Sequence, residues 1–294
     1  MTEYDFVKQG DKKYTFEDAV HVLERLIAPD GCPWDREQTR ESLRKNMIEE
    51  AYEAVDAIDS KNDEKFKDEL GDVLLQVLLN AVISEKDKGF TLLDITDNLC
   101  RKLISRHTHV FGNDTANSGE ESLFVWDKNK AKEKGFTNYA ETLRDIPVNL
   151  PSLMRADKLQ KRAGKSGFDW DDAKGAQDKI NEELAEVHHI LKQRKTSIYE
   201  KTEQTVNPEF YDELEDELGD LLFSVVNYAR LLGIDSEIAL NRSNEKFLRR
   251  FSRMEQLSME QSMENNMDFT SLSLAEKDKL WEAVKMEEKR NEVG

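Results

Sequence analysis

Proline is the residue an α-helix tolerates least, and this chain has almost none. Only Pro29, Pro33, Pro147, Pro151 and Pro208 occur, and residues 34 to 146 contain no proline. Across that span apolar residues recur at i, i+3, i+4 and i+7. Leu70, Val73, Leu74, Val77, Leu78, Ala81 and Val82 form one stripe, and Ile48, Ala51, Tyr52, Val55 and Ile58 form another. Leu218, Leu221, Leu222, Val225, Val226 and Ala229 make a third in the second half. This is the helical period, with the stripe as the face expected to be buried. Alternating β-branched runs and turn glycines are sparse, so the expected fold class is all-α.

Pro147 and Pro151 stand four residues apart and forbid a continuous helix between them. The sequence therefore predicts a polar N-terminal tail over residues 1–15, a first domain over 16–145 and a second over 146–294. A charged, apolar-poor stretch from about Gln193 to Thr205 reads as a loop.

The two halves repeat each other. Lys67-Asp68-Glu69-Leu70-Gly71-Asp72-Val73-Leu74 matches Glu215-Asp216-Glu217-Leu218-Gly219-Asp220-Leu221-Leu222. Upstream, Glu49-Glu50-Ala51-Tyr52-Glu53 matches Glu182-Glu183-Leu184-Ala185-Glu186. Downstream, Lys102 and Arg106 match Lys246 and Arg250, and Trp126 and Lys130 match Trp281 and Lys285. The chain is a tandem duplication of one helical-bundle unit.

The spacing of the acids carries chemistry. Glu50 and Glu53 are i, i+3 and leave one helix face; Glu69 and Asp72 do the same on the following helix. Antiparallel packing of those helices brings four carboxylates to one level, where mutual repulsion demands a cation or a proton. All-oxygen ligands select hard ions, so Mg²⁺ is expected, with Mn²⁺ as a substitute. One Glu-x-x-Glu alone is usually a solvated surface. Recurrence of the whole set, with Gly71 and Gly219 placed inside strong helix patterns, favours a site and suggests close helix approach or ligand access there. The cation pairs suit phosphate oxygens or an ordinary helix surface. Trp126 and Trp281 read as core residues or as platforms for a nucleobase.

Charge narrows the partners. Lys plus Arg total 43 against 61 Asp plus Glu, a formal −18, with no segregated basic block. A nucleic-acid polymer or an anionic membrane surface would be repelled, whereas a small anion delivered with a metal would not. The longest apolar stretch, Val73 to Val82, is interrupted by Gln76 and Asn80 and is not a membrane span. Cys32 and Cys100 form no C-x-x-C, and the acids of Met1-Thr2-Glu3-Tyr4-Asp5 stand where a signal peptide carries lysines. The expected location is cytoplasmic.

Glu-Glu-x-x-Glu followed at a distance by Glu-x-x-Asp resembles the MazG family of nucleoside triphosphate pyrophosphohydrolases. The resemblance runs from about Phe16 to the C-terminus and includes Gly31-Cys32-Pro33-Trp34-Asp35, Arg106-His107-Thr108-His109-Val110-Phe111, Gly167-Phe168-Asp169-Trp170 and Asn244-Glu245-Lys246-Phe247. It implies an α-helical homodimer that hydrolyses NTPs and dNTPs to the monophosphate and pyrophosphate with Mg²⁺. By that resemblance Glu183, Glu186, Glu217 and Asp220 are metal ligands, with Glu50, Glu53, Glu69 and Asp72 as a second-tier set. The same resemblance makes Lys179, Lys246, Arg250, Trp281 and Lys285 nucleotide contacts, and Glu183 or its neighbour Glu182 is expected to orient or deprotonate the attacking water.

The halves depart from one another in their lysines. Lys179 precedes Glu183 by one turn, where Asn46 precedes Glu50; Lys65 precedes Glu69, where Glu213 precedes Glu217. The second half, richer in arginine around Lys246, is expected to be the main site. Two rivals come from other classes. A di-iron bundle needs Glu-x-x-His on two helices, and only Glu186 and His189 offer it. A non-catalytic helical interaction module would leave the acids as surface.

Overall fold

A computed structural model describes residues 13–193, 208–265 and 269–291. The expected tail over 1–12 and the body of the expected loop, 194–205, lie outside the described residues. Every regular element among those described is helical.

The chain divides into two compact units, Met1–Lys134 and Gly135–Gly294. The first contains α1 (Phe16–Leu26), α2 (Pro33–Glu37), α3 (Arg44–Asp59), α4 (Asp63–Lys86), α5 (Leu92–Arg106), α6 (Thr108–Phe111) and α7 (Gly119–Lys134). The second contains α8 (Tyr139–Arg144), α9 (Ser152–Gly164), α10 (Ala173–Gln193), α11 (Pro208–Leu231), α12 (Ser236–Asn265) and α13 (Leu274–Asn291), with a 3-10 turn at Phe269–Ser271.

Local sequence sets the helix starts. Thr15 and Asp18 form a reciprocal capping box on α1, and Thr91 and Asp94 form another on α5. Asn62 and Asn138 cap α4 and α8 through their side-chain oxygens. Such caps satisfy amides that the first turn leaves without partners, each contributing about 1 kcal/mol. Only Ser60-Lys61-Asn62 joins α3 to α4, with Lys61 in the left-handed region at φ 54°. So short a connection forces the two helices into an antiparallel hairpin, and they pack closely along their length.

The core of the first unit gathers Ile27, Leu43, Leu79 and Ile83, with Val82 against them. In the second unit Met254, Leu280 and Val284 form a cluster flanked by Phe251, Leu257, Phe269, Leu272 and Trp281. A buried amide also ties this unit together, as Gln160 of α9 donates to the Phe223 carbonyl of α11 at 2.8 Å.

The helical period was legible, but not which face is covered. On α3 the seam against α4 is made by Ala54 and Ala57, whereas Ile48, Tyr52, Val55 and Ile58 of the expected stripe are exposed. Leu70 and Leu74 are exposed on α4, and Leu218, Leu222 and Val225 on α11, while Leu78, Ala81 and Val226 are buried. Small residues let the paired helices approach closely, which turns the larger side chains outward. Among the described residues, each hairpin thus keeps large apolar side chains exposed. Gly71 and Gly219 lie in that open region: an added Cβ would meet nothing within 4 Å. The close helix approach expected there does not occur among the described residues.

The units part eleven residues before the expected boundary. Both prolines do fall between helices, α8 ending at Arg144 and α9 starting at Ser152. However, α8 folds back onto α9, Ile146 is buried, and Arg162 reaches the Thr142 carbonyl and, at 3.7 Å, Asp145. A helix break is a change of direction, and here the chain turns within the second unit.

Candidate metal and phosphate site

The paired carboxylates do converge, three at a time. On α3 and α4, Glu50, Glu69 and Asp72 each offer an oxygen within 4.8 Å of the others. On α10 and α11, Glu183, Glu186 and Glu217 do the same. The closest trio omits Glu53 in the first half and Asp220, which is exposed, in the second. Glu53 remains near enough that its charge raises the pKa of both Glu50 and Glu69.

The electrostatics of the clusters differ. In the first, burial is the largest influence holding Glu50 and Glu69 above the ordinary carboxylate range, with repulsion from neighbouring acids adding to it. Lys65 relieves this set only in part: its ammonium bonds Asp56 at 2.7 Å, while its charge pulls Glu69 downward against those effects. In the second, Glu183 is 3% exposed and pairs with Lys179 at 2.5 Å; the same ammonium reaches Glu182 at 2.9 Å. Those hydrogen bonds, Glu183's first, push the Lys179 pKa upward. Glu186 is raised chiefly by its hydrogen bond to Glu183, with burial and the charge of Glu217 adding to it. Lys179 enters from α10 where the first half has Asn46, so among the described residues the second cluster has a lysine bonded directly to one of its trio, whereas Lys65 acts on the first from its bond to Asp56.

Both trios fit a hard divalent ion. Their donors are all carboxylate oxygens, and ligands about 2.1 Å from Mg²⁺ lie at most about 4.2 Å apart, a small rotation from the spread observed. Charge neutralisation by such an ion would remove the repulsion that raises Glu50, Glu69 and Glu186.

The expected phosphate contacts lie on another hairpin, α12 and α13. Lys246 stands exposed on α12, and Lys285 pairs with Glu282 at 2.8 Å. Arg250 donates from Nε to Glu288 at 2.7 Å, and Arg249 shares that carboxylate at 3.1 Å. The Arg250 guanidinium also lies 5.9 Å from the centre of the Trp281 ring, with Phe247 at 5.5 Å on the same indole. Trp281 is thus packed in the apolar cluster, which favours its reading as a core residue.

The first half repeats this arrangement. Arg106 is buried and donates through Nε and Nη2 to Glu133, both at 2.9 Å, with its guanidinium 5.2 Å from Trp126. Glu133 and Glu288 were missed in the sequence, although each stands seven residues after its tryptophan and three after its lysine. Their carboxyls are held below the usual range by Arg106 and Arg250 respectively. In both halves, then, the arginine of the cation pair is clamped under a tryptophan by a glutamate. An open cleft of about 600 Å³ between α12 and α13 is lined by Arg249, Arg253, Glu287 and Glu288 and touches none of the clustered carboxylates.

Comparison with known sequences places both clusters in one family. The profile described as MazG nucleotide pyrophosphohydrolase domain matches residues 38–111 and 174–254, spans that hold all eight expected metal ligands. The nucleoside triphosphate pyrophosphohydrolase/pyrophosphatase MazG of Thermotoga maritima is 41% identical over 270 residues, covering 92% of this chain and 95% of its own. The nucleoside triphosphate pyrophosphohydrolase of Escherichia coli K12 is 38% identical over 268 residues, covering 91% and 95%. Bacillus subtilis YabN, described as uncharacterized, is 39% identical over 270 residues, about half its own length.

Proposed function

The chain belongs to the MazG nucleotide pyrophosphohydrolase family and is a hydrolase of acid anhydrides, and we propose that it splits NTPs and dNTPs into the monophosphate and pyrophosphate in an Mg²⁺-dependent reaction. The observation that carries this reading is the repeated oxygen trio, with Glu183 buried against Lys179 in the second half.

Glu183, Glu186, Glu217 and Asp220 would hold Mg²⁺, or Mn²⁺ in its place, and the bound ion would neutralise triphosphate oxygens and acidify a water. Glu182, exposed beside Glu183 and bonded to the same lysine, would take the proton of the attacking water. The water oxygen forms the new bond to phosphorus, the anhydride P–O bond breaks, and pyrophosphate departs. Lys179, Lys246 and Lys285 offset its charge, with Arg250 positioned by Glu288 and Trp281. Glu50, Glu53, Glu69 and Asp72 form a second, weaker site of the same kind.

The open faces of the hairpins suit a second copy of the chain, so the protein acts as a homodimer. Its cellular role is control of the nucleotide pool, in the cytoplasm, with broad base specificity. No described helix is long and apolar enough to cross a membrane. Glu183→Ala is expected to abolish pyrophosphate release while leaving the helical circular-dichroism spectrum intact. Unchanged turnover would overturn the assignment.

A further inference from the structure

The four tryptophans sort into two kinds, and each kind occurs once per half. Trp126 and Trp281 are already covered, each by an arginine and a second ring. Trp34 and Trp170 are 57% and 47% exposed. Both stand in the frame Gly-x-x-Trp-Asp, at Gly31 to Asp35 and Gly167 to Asp171, ahead of the carboxylate hairpin of their own half. Neither lies within the spans matched to the family profile.

The loop bearing Trp170 is held rigidly. Asp169 accepts two bonds from Arg230 of α11, at 2.9 and 2.5 Å, and Arg230 is braced in turn by Asn227. A Cβ built on Gly175, in the first turn of α10, would lie 3.0, 3.1 and 3.2 Å from Cδ2, Cε3 and Cγ of the Trp170 indole. Near-equal distances to three contiguous ring atoms describe a contact on the face of the ring rather than its edge. One face of Trp170 therefore rests against α10 at Gly175, where an added Cβ would crowd the ring. Among the described residues no aromatic ring or cation is paired with the indole.

Helical phase then relates this ring to the site. At 100° per residue, Lys179, Glu182 and Glu186 lie within about 40° of Gly175 around α10, on the same side. Glu183 stands eight residues, about 12 Å, along the axis from Gly175. That length is comparable to the reach of an extended nucleoside triphosphate from its base to its outer phosphates. Charge decides which end of such a ligand the loop receives. Asp171 and Asp172 follow Trp170 directly and would repel phosphate, Asp169 being committed to Arg230, whereas the uncharged base has no such penalty.

We propose that Trp170 is the nucleobase platform of the second site: the base stacks on the outward face of its indole, and the triphosphate runs along α10 past Lys179 to the carboxylates. Trp34 holds the equivalent place in the first half. A ring face discriminates weakly among bases, so the platform accounts for a broad substrate range. The inference rests on the proposed hydrolysis of nucleoside triphosphates for the identity of the ligand.

The test takes the full-length protein with Trp34→Phe as its background and compares Trp170→Ala, Trp170→Phe and Phe168→Ala in it, using ATP, CTP and inorganic tripolyphosphate, which has no base, in the presence of Mg²⁺. Trp170→Ala is expected to raise KM for both nucleotides about tenfold, the size of a lost base–aromatic stack. It should leave kcat and the inhibition constant of tripolyphosphate within about twofold. Trp170→Phe should restore most of the loss, and Phe168→Ala, which removes a more exposed ring of the same loop, should change little. ATP should quench the tryptophan fluorescence of the Trp34→Phe background but not of that background carrying Trp170→Ala, and tripolyphosphate should quench neither. An unchanged nucleotide KM in Trp170→Ala, or equal weakening of ATP and tripolyphosphate, overturns the platform. A wild type that releases no pyrophosphate overturns the activity instead, and the quench still decides the platform from binding alone.

Discussion

Replacing Lys179 by Met should tighten Mg²⁺ binding in the absence of nucleotide, although it removes a residue expected to help catalysis. The Lys179 ammonium sits 2.5 Å from the buried oxygen of Glu183 and 2.9 Å from Glu182. It occupies the electrostatic role that a metal would take, so an arriving cation must displace it from Glu183. A hydrogen bond between charged groups contributes roughly 1.5–3 kcal/mol. Lys179 is 38% exposed, so solvent screening reduces the contribution to about 1–2 kcal/mol. Removing the competitor should therefore strengthen Mg²⁺ binding by about 5- to 30-fold. Met preserves most of the aliphatic stem and limits the change to the charge. The assay is isothermal titration with Mg²⁺ in a chain whose first cluster is disabled by Glu50→Gln and Glu69→Gln. With nucleotide present the sign reverses, because the same lysine then serves the phosphates and KM for ATP should rise. Asn46→Lys supplies the converse in an otherwise intact first half, where Mg²⁺ binding should weaken. Unchanged or weaker Mg²⁺ affinity in nucleotide-free Lys179→Met would refute the competition.

Glu288→Gln should lower stability by about 1–2 kcal/mol at pH 7, since it loosens Arg249 and Arg250 on a partly exposed surface. The folded Glu288 carboxyl is held below its ordinary value near 4.5, so this contribution is complete above that pH. It is lost as pH falls through the folded pKa, and denaturant melts of the two proteins should converge there. Leu43→Ala should cost about 2–5 kcal/mol in the first unit, because its side chain is almost wholly enclosed; a smaller loss in urea unfolding would mean the site collapses around the gap. Tyr52→Glu with Leu222→Glu should give a monomer by sedimentation, as both side chains lie on open apolar faces; a persistent dimer would place the interface elsewhere. Gly219→Ala should stabilise α11 by about 1 kcal/mol in dilute protein, as its Cβ meets open space. A destabilised variant under those conditions would contradict that openness.

Much of this protein follows from sequence order alone. Helix type, the twofold repeat and the pairing of carboxylates at i, i+3 are local properties. Backbone hydrogen bonds join residues four apart, and side-chain direction follows with a period of 3.6. Glu50, Glu69, Glu183 and Glu217 could therefore be assigned to converging faces before any tertiary contact was known. Other features depend on which neighbour a face meets, and periodicity carries no information about that. The seam of the first hairpin was decided by Ala54 and Ala57, not by Ile48, Tyr52 and Val55, because small side chains permit the closest backbone approach. Arg250 offers the same positive charge in sequence whether it waits for phosphate or is held by Glu288. Trp170 and Trp281 are chemically identical, yet one is clamped beneath a guanidinium and the other rests on a glycine with its second face outward. Chain order settled the helices and the acids; packing between residues distant in sequence decided which charges are committed and which surfaces are open.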